Sequence, residues 1–224
     1  MYGFVVTTHF NNYETIKKCL NLLFESIPLD KSKIVLYINE TTCPNVLNIK
    51  EEFIKNYSQF ETVYIHDQTK NGGLTGTWNQ GIDYLLNIPY FNCKVITILG
   101  HDTYVNNDIK YLLESALEAE NNKDLKYFGP LFKNYPGKCE ELWQDELHYM
   151  NNPDKFLIGS IFTFPINSLI ENKLSINMYF NSKKCPFGYN DIEWYNRFLK
   201  IGGKAIIIPK CIINHEYKRT WITK

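Results

Sequence analysis

Acidic and imidazole side chains near the C-terminus of this chain have types and spacing that suit proton transfer. Residues 187–189, Phe-Gly-Tyr, lead into a predicted helix that opens with Asp191 and Glu193, two carboxylates at i and i+2. A Gly-Gly stop, a hydrophobic strand at 205–208 and then His215 follow this helix. An acid at the mouth of a helix, with a histidine delivered beside it by the next strand, can remove a proton next to a metal or phosphate. The pattern indicates an enzyme.

A second candidate is Asp102, which follows the apolar run at residues 95–99. That run predicts a buried strand, so Asp102 is expected at a carboxyl strand end, where open α/β sheets place their ligands. A plain turn role for Asp102 is the alternative.

A third candidate is the glycine-rich segment 71–81, which contains Gly72 and Gly73 and opens a predicted helix. Backbone without side chains can approach a phosphate or a sugar closely at such a turn. The two glycines could equally well shape only the turn before the helix.

In this order, the segments resemble the inverting family-2 glycosyltransferases of the GT-A fold, and the resemblance covers nearly the whole chain. Three residues depart from the family pattern. Ile38 stands where the family usually has an aspartate, Gly100 replaces the first acid or amide of the "D-x-D" motif, and Asn190 replaces the glutamate of the "E-D" pair. The matching segments are 5–12 (first strand and "P-T-Y-N" turn), 34–42 (second strand with its "D-N-x-S" end), 71–81 ("N-x-G-x-x-x-x-x-N-x-G"), 99–105 ("D-x-D"), 158–160 ("G-s") and 190–194 ("E-D-v-D-w").

The resemblance implies a reaction and a set of site residues. A sugar would move from a nucleotide diphosphate sugar to a glycan or other hydroxyl acceptor by one in-line displacement, with inversion and with Asp191 as general base. A divalent metal, Mn²⁺ or Mg²⁺, held by Asp102 and His215 would stabilise the leaving diphosphate. The implied nucleotide-sugar contacts are Thr8, His9, Phe10, Asn39, Gly72, Gly73, Asn79, His101 and Asp102, and the implied acceptor contacts are Trp143, Asn190 and Trp194.

Several of these residues could instead have a purely structural role. Asp191 also suits a helix N-cap, because its carboxylate can accept hydrogen bonds from free N–H groups there. His215 also suits a satisfied structural histidine. Trp194 also suits the core, whereas Trp143 and Tyr149 lie in a polar segment where they could stack on an acceptor sugar.

Strand-like and helix-like segments alternate along the chain, which predicts an α/β fold: a mostly parallel twisted sheet flanked by helices in a single domain. The expected division is a nucleotide-sugar-binding half at 1–105 and an acceptor-binding and catalytic half at 106–224. Helices are predicted at 13–25, 46–57, 75–86, 108–120 and from 190 with Ile201 on its apolar side, strands at 3–7, 33–38, 62–66, 95–99, 126–130, 156–164 and 205–208, and a polar loop region at 134–154.

Composition narrows the function classes. The formal net charge of zero argues against nucleic acid as a partner. The six cysteines are scattered singly, which predicts reduced core thiols. No apolar stretch approaches the ~20 residues that span a bilayer, and no leader is visible, so we expect no transmembrane segment and a soluble, cytoplasmic protein.

Two other function classes remain open. A nucleotidyltransferase would also place a metal-binding aspartate on an α/β sheet, but residues 7–12 are neither basic nor glycine-rich. A noncatalytic sugar-binding or scaffolding domain derived from a glycosyltransferase is the second class, because the region that resembles D-x-D keeps one acid.

Overall fold

A computed structural model describes residues 1–8, 13–39, 48–65, 72–132, 148–150 and 160–215. In these ranges strands and helices alternate, as the sequence predicts. The strands are β1 (Tyr2–Thr8), β2 (Ser32–Asn39), β3 (Phe60–Ile65), β4 (Val95–Gly100), β5 (Thr103–Tyr104), β6 (Lys126–Phe132), β7 (His148–Met150), β8 (Ile161–Pro165) and β9 (Lys204–His215). The helices are α1 (Tyr13–Ser26), α2 (Ile49–Ile54), α3 (Gly73–Leu86), α4 (Ile109–Asn122), α5 (Ile166–Leu174) and α6 (Asn190–Lys200), with a 3₁₀ turn at Leu29–Lys31.

The strands form one sheet in the order β3-β2-β1-β4-β8-β6-β9-β5, and β7 also pairs with β9. The four strands from β3 to β4 run parallel, because each connection between them crosses over through a helix. The second half adds antiparallel pairings of β8 with β4 and with β6. The predicted α/β class is confirmed, with a parallel N-terminal half and a mixed C-terminal half.

Helices cover both faces of the sheet. Alternate residues of β1 face opposite sides, so Phe4 and Val6 join one hydrophobic core while Val5 joins the other. The first core takes the apolar faces of α1, α2 and α4, and the second takes those of α3, α5 and α6. The result is a three-layer sandwich in which α1 and α3 lie on opposite faces.

Strand β9 is longer than the predicted 205–208. Pro209 directly follows the predicted segment, and proline interrupts a strand ladder. In the structure, β9 continues because its pairing with β6 shifts register: Pro130 lies opposite Ile208, whereas Leu131 lies opposite Ile212. The extra residues form an irregularity that accommodates the proline and carries the strand on to His215.

Several elements differ from the sequence expectations. Helix α5 and the short strand β5 were not predicted, and β7 lies inside the expected polar loop at 134–154. Ile201, expected on the apolar side of α6, lies beyond the helix end and is 37% exposed. The predicted Gly-Gly stop is confirmed: Gly202 has a φ of +83°, and the Gly203 N–H donates to Phe198 O at 3.0 Å.

The predicted reduced core cysteines agree with the part of the chain that the structure describes. The thiols there are free and buried, at Cys19, Cys93, Cys185 and Cys211. Burial raises the pKa of each of these four thiols, to about 12 for Cys93. They are therefore protonated side chains of the core at neutral pH.

Candidate functional site

The strand order predicts where a ligand would bind, at the carboxyl edge of the parallel strands. From β1 the chain winds outward through β2 to β3 and then returns to place β4 on the other side of β1. Helix α1 follows β1, and helix α3 precedes β4. The two helices cover opposite faces of the sheet. Ligands of open α/β sheets bind at such a switch point. Thr8 and Gly100, the last residues of β1 and β4, mark it in this chain.

Asp102 and His215 meet at this edge. The antiparallel β5–β9 ladder places His215 opposite Thr103, next to Asp102, and His215 Nε2 lies 3.4 Å from Asp102 Oδ1. The His101 N–H donates to Thr7 O at 3.2 Å, and Thr103 Oγ1 donates to Ser160 O at 3.2 Å. The turn that carries Asp102 is thus tied to β1 and to the start of β8.

The charge state of Asp102 follows from these contacts. Burial raises the pKa of its carboxyl, but the hydrogen bond and charge of His215, together with His101, offset this, so the pKa is lowered overall. Asp102 is an anion at neutral pH. Its side chain is 33% exposed, against 10% for His215, so the carboxylate is open to a ligand on its outer side.

Gly100 gives Asp102 the space for this arrangement. A Cβ at residue 100 would stand 3.0 Å from Asp102 Oδ1, the atom that faces His215. A side chain there would press on the carboxylate. Glycine at residue 100 therefore leaves room for the Asp102–His215 pair.

A carboxylate oxygen suits both Mn²⁺ and Mg²⁺, whereas a neutral imidazole nitrogen beside it suits Mn²⁺ better, because Mg²⁺ prefers oxygen ligands. Such ions are often held by one or two protein side chains, with substrate phosphates and water completing the shell. Among the residues that the structure describes, no group of three or more His, Cys, Asp or Glu side chains could hold a metal. Asp102 and His215 fit a two-ligand site that needs the substrate's oxygens.

The glycine-rich turn before α3 accommodates a close contact with the main chain of another segment. Gly72 and Gly73 have φ values of +80° and +68°, and a Cβ on Gly73 would lie 2.4 Å from Pro186 O. The Thr75 N–H donates to the same carbonyl at 3.0 Å. The approach seen at Gly73 is therefore made by the segment before α6, and contact of either glycine with a nucleotide stays a prediction.

Asn79, in α3, forms hydrogen bonds to the segment before α6. Its Nδ2 donates to Phe180 O and its Oδ1 accepts from the Phe180 N–H, both at 2.8 Å. This reciprocal pair uses the donor and the acceptor of the amide at once. Asn79 thus holds the segment before α6 against α3, and its predicted contact with the nucleotide remains untested.

The first turn of α6 carries Asp191, the predicted base. Asp191 Oδ1 accepts from the Ile192 N–H at 2.9 Å, and the Asp191 N–H donates to Asn190 Oδ1 at 2.9 Å. The free N–H groups and the positive end of the helix favour the ionised carboxylate. Asp191 is partly buried, unlike Asn190, which is 5% exposed. The N-cap of α6 is Tyr189, so Asp191 lies inside the first turn and the N-cap interpretation of Asp191 is wrong. The predicted catalytic role is carried forward as a proposal.

Glu193, the other carboxylate of the pair, forms an internal ion pair. Its Oε1 lies 3.2 Å from Arg197 Nε, with side-chain exposures of 15% and 9%, and its Oε2 accepts from Arg197 Nη2 at 3.3 Å. Arg197 also donates to the main-chain carbonyls of Asn172 and Tyr179. This network fixes α6 to α5 and to the segment after it. The i, i+4 spacing of an acid and an arginine was the sequence signal for it.

Trp194, a predicted acceptor contact, lies in the core with 1% of its surface exposed. Its indole packs edge-on against Tyr127 and Phe164, with ring centroids 4.9 and 4.8 Å away. No indole face is open to a sugar in this arrangement. The core reading of Trp194 is the one its packing supports.

Other predicted site residues fall outside the described part of the chain or are only partly described. His9, Phe10 and Trp143 lie outside the described residues. Asn39 is the last residue of β2, paired with Ile65. Tyr149 lies in β7, opposite Ile206. Their predicted contacts with substrate stay predictions.

Solved structures match this architecture over almost the whole chain. GalNAc-T7 with UDP, GalNAc and Mn²⁺ matches with a TM-score of 0.71 at 14% identity, over 96% of this chain and 44% of that one. S. aureus TarS 1–349 matches at 0.66 and 13% identity, over 96% and 60%. The mannosyltransferase PcManGT from Pyrobaculum calidifontis, in complex with GDP-Man and Mn²⁺, matches at 0.66 and 12% identity, over 98% and 58%. The chain has the GT-A fold.

The likeness in GT-A fold does not extend to close sequence similarity. No protein-family model matches the sequence, and no curated protein matches it. The chain spans from 36% to 60% of the length of the GT-A structures that it matches. None of the helices within the described ranges combines the length and apolar surface needed to cross a bilayer.

Proposed function

We propose that this GT-A chain is an inverting glycosyltransferase that moves a sugar from a nucleotide diphosphate sugar to a hydroxyl of a glycan or other acceptor. The Asp102–His215 pair at the switch point of the sheet is the observation that carries the proposal. A carboxylate and an imidazole held 3.4 Å apart at the ligand-binding edge of this fold suit the diphosphate end of a nucleotide sugar. Structures of the same fold with UDP or GDP-Man and Mn²⁺ support the donor class.

On the donor side, Asp102 and His215 would hold a divalent cation, Mn²⁺ or Mg²⁺. When bound, the cation would neutralise charge on the leaving diphosphate. Asp102 comes from the first half of the chain and His215 from the second, joined by the β5–β9 ladder. We propose that residues 1–105 supply most donor contacts, whereas 106–224 supply His215, the acceptor contacts and the base.

On the acceptor side, Asp191 would remove the proton from the attacking hydroxyl. Its carboxylate sits at the positive end of α6, which keeps it ionised and ready to accept a proton at neutral pH. The attack is in line with the departing diphosphate, so the anomeric centre inverts. The acceptor oxygen forms the new bond to the anomeric carbon as the bond to the diphosphate breaks. The hydroxyl proton goes to Asp191, and the electron pair of the broken bond leaves with the diphosphate.

The first experiment is a thermal-shift screen with UDP, GDP, dTDP and CMP, with and without Mn²⁺. Binding to the native state raises its apparent stability, so we expect one nucleoside diphosphate to raise the melting temperature, and more so with Mn²⁺. The matching nucleotide sugar is then tested for transfer, and NMR of the product reads the anomeric configuration. Retention of configuration would rule out the single displacement.

The matched catalytic variant is Asp191→Asn, which preserves size and most hydrogen bonding but cannot take the proton. We expect transfer to fall by ~10²-fold or more while nucleotide affinity stays nearly unchanged. Equal transfer rates for this variant and an active wild type would leave Asp191 with a structural role only, in the first turn of α6.

A noncatalytic sugar-binding or scaffolding domain is the second candidate. Gly100 favours it, because the turn after β4 keeps a single acid, Asp102. Isothermal titration separates the two: a binding module should take up glycan without nucleotide, whereas a transferase should bind its nucleotide sugar first and with a cation.

A further inference from the structure

Thr75, in the first turn of α3, contacts the opening residue of α6 across the protein interior. Thr75 is fully buried, and its Oγ1 accepts a 2.9 Å hydrogen bond from Asn190 Nδ2 over a sequence separation of 115 residues. The same hydroxyl donates to the main-chain carbonyl of Cys185. The proposed chemistry uses neither the Thr75 hydroxyl nor the Asn190 amide directly. Their contact therefore requires another explanation.

Three hydrogen bonds form a chain in which each group donates to the next: the Asp191 N–H to Asn190, the Asn190 amide to Thr75, and the Thr75 hydroxyl to Cys185 O. Because the Thr75 hydrogen points to Cys185 O, its lone pair is what faces Asn190. The Asn190 amide must then turn its NH₂ group toward Thr75 and its oxygen toward the next residue, where it accepts from the Asp191 N–H at 2.9 Å. Asparagine has the donor and the acceptor for both contacts. Thr75 thus sets the orientation of Asn190, and Asn190 fixes the main chain of Asp191.

We propose that Thr75 and Asn190 are positioning residues that place the Asp191 carboxylate relative to α3, the helix that begins at Gly73. The inference rests on the proposed function, in which Asp191 is the general base. Asn190 therefore acts through its neighbour: its amide is buried and faces Thr75, not an acceptor. Small displacements of a reacting group lower the rate strongly, so a link of this kind affects turnover more than binding.

Kinetic measurements on a matched set of variants test the link. Thr75→Val keeps the shape and removes the hydroxyl, whereas Thr75→Ser keeps the hydroxyl. We expect Thr75→Val to lower kcat by ~10-fold, with the donor KM and nucleotide Kd within ~2-fold of wild type. Thr75→Ser should restore kcat to within ~3-fold, because its Oγ can make the same two hydrogen bonds.

Two further variants separate positioning from general loss of stability. Asn190→Asp can still accept from the Asp191 N–H but cannot donate to Thr75, so its kcat should fall at least as far as that of Thr75→Val. Thr163→Val is the control, since it removes a buried hydroxyl whose 3.0 Å partner, Thr97 Oγ1, lies in the middle of the sheet. Its kcat should stay within ~2-fold of wild type at a comparable loss of melting temperature.

Hydrogen exchange gives a readout that does not need activity. Loss of the Thr75 hydroxyl should speed exchange of the amide hydrogens in the first turn of α6 by ~10-fold, because the Asp191 N–H loses its oriented acceptor. Thr163→Val should leave these amides unchanged. The measurement follows the peptide that contains Asp191 and Ile192.

The outcomes are distinguishable. Unchanged exchange at α6 in Thr75→Val, or equal kcat losses in Thr75→Val and Thr163→Val, would overturn the positioning role. A rise in donor KM with unchanged kcat would overturn it as well, because the effect would then lie in donor binding. A wild type that binds a nucleotide sugar but transfers nothing, with faster α6 exchange in Thr75→Val, would overturn the proposed function and retain the link between the two helices.

Discussion

Removal of the Glu193 carboxylate should destabilise the fold, although Glu193 lies only two residues from the proposed base. Glu193 pairs with Arg197 through two contacts of 3.2 and 3.3 Å, and both side chains are nearly buried. Arg197 keeps its hydrogen bonds to the carbonyls of Asn172 and Tyr179 when Glu193 is shortened. Glu193→Ala therefore leaves a buried guanidinium with hydrogen bonds but no counter-charge.

The size of the effect follows from the burial of the pair. Breaking a buried ion pair by removing one partner costs roughly 3–5 kcal/mol. The side-chain exposures of 9% and 15% let some water reach the pair, so we expect the low end, about 3 kcal/mol. For a chain of this size, each kcal/mol shifts the melting temperature by roughly 2–4 °C. Glu193→Ala should thus melt roughly 6–12 °C below wild type.

Thermal melting and urea unfolding measure this difference directly. Glu193→Gln retains an acceptor for Arg197 but not the charge, so it should lie between wild type and Glu193→Ala. Asp124→Ala is the control, since it breaks the more exposed Lys126–Asp124 pair, with a 2.7 Å contact and exposures of 26% and 41%. Exposed pairs contribute at most about 1 kcal/mol.

A Glu193→Ala variant as stable as Asp124→Ala would refute the assignment of a buried, structurally required pair. The expected result also bears on enzyme assays. Glu193→Gln is not a neutral comparison for Asp191→Asn, because its effect on α6 would reach Asp191 through the helix. Its transfer rate should be read only beside its unfolding free energy.

Three further predictions concern the site and the core. Asp102→Ala should abolish the metal-dependent part of nucleotide binding in titrations with and without Mn²⁺, and full metal-dependent affinity in the variant would contradict the assignment. Tyr189, which precedes α6, and Lys123, which follows α4, are non-glycine residues with a φ of +57°, and Tyr189 is 77% exposed. Tyr189→Gly and Lys123→Gly should each raise the free energy of unfolding by ~1 kcal/mol in urea unfolding, because glycine adopts this backbone conformation without strain. A lower free energy of unfolding in both variants would show that neither backbone is strained. Burial raises the pKa of Cys93 to about 12, so the unfolded chain loses the thiol proton at a lower pH than the folded chain does. The contribution of Cys93 to the free energy of unfolding should therefore be complete below about pH 8.5 and fall as the pH rises toward 12. Cys93→Ala should make this decline shallower in urea unfolding measured across that pH range.

Local sequence patterns predict the fold class, the order of the main elements, the turn that carries Asp102 and the helix that carries Asp191. These features are local: a run of apolar residues predicts a strand, and a helical spacing of apolar residues with a Gly-Gly stop predicts α6, independently of distant partners. The carboxyl-edge location of Asp102 follows from the same local pattern, because a residue directly after a buried parallel strand lies at that edge.

The contacts of the polar side chains depend on how distant segments pack together, and the sequence patterns do not give them. The register of β5 and β9 places His215 against Asp102, which the chain order alone does not give. Asn79 bonds to Phe180 across 101 residues and Asn190 bonds to Thr75 across 115. Substrate contacts are predicted from the sequence for both asparagines, because nothing local shows that their amides are already hydrogen-bonded. The hydrogen-bond partner of such a side chain depends on which distant segment is packed beside it. No periodicity records that partner, and the packing of α3 against the segment before α6 is what selects it.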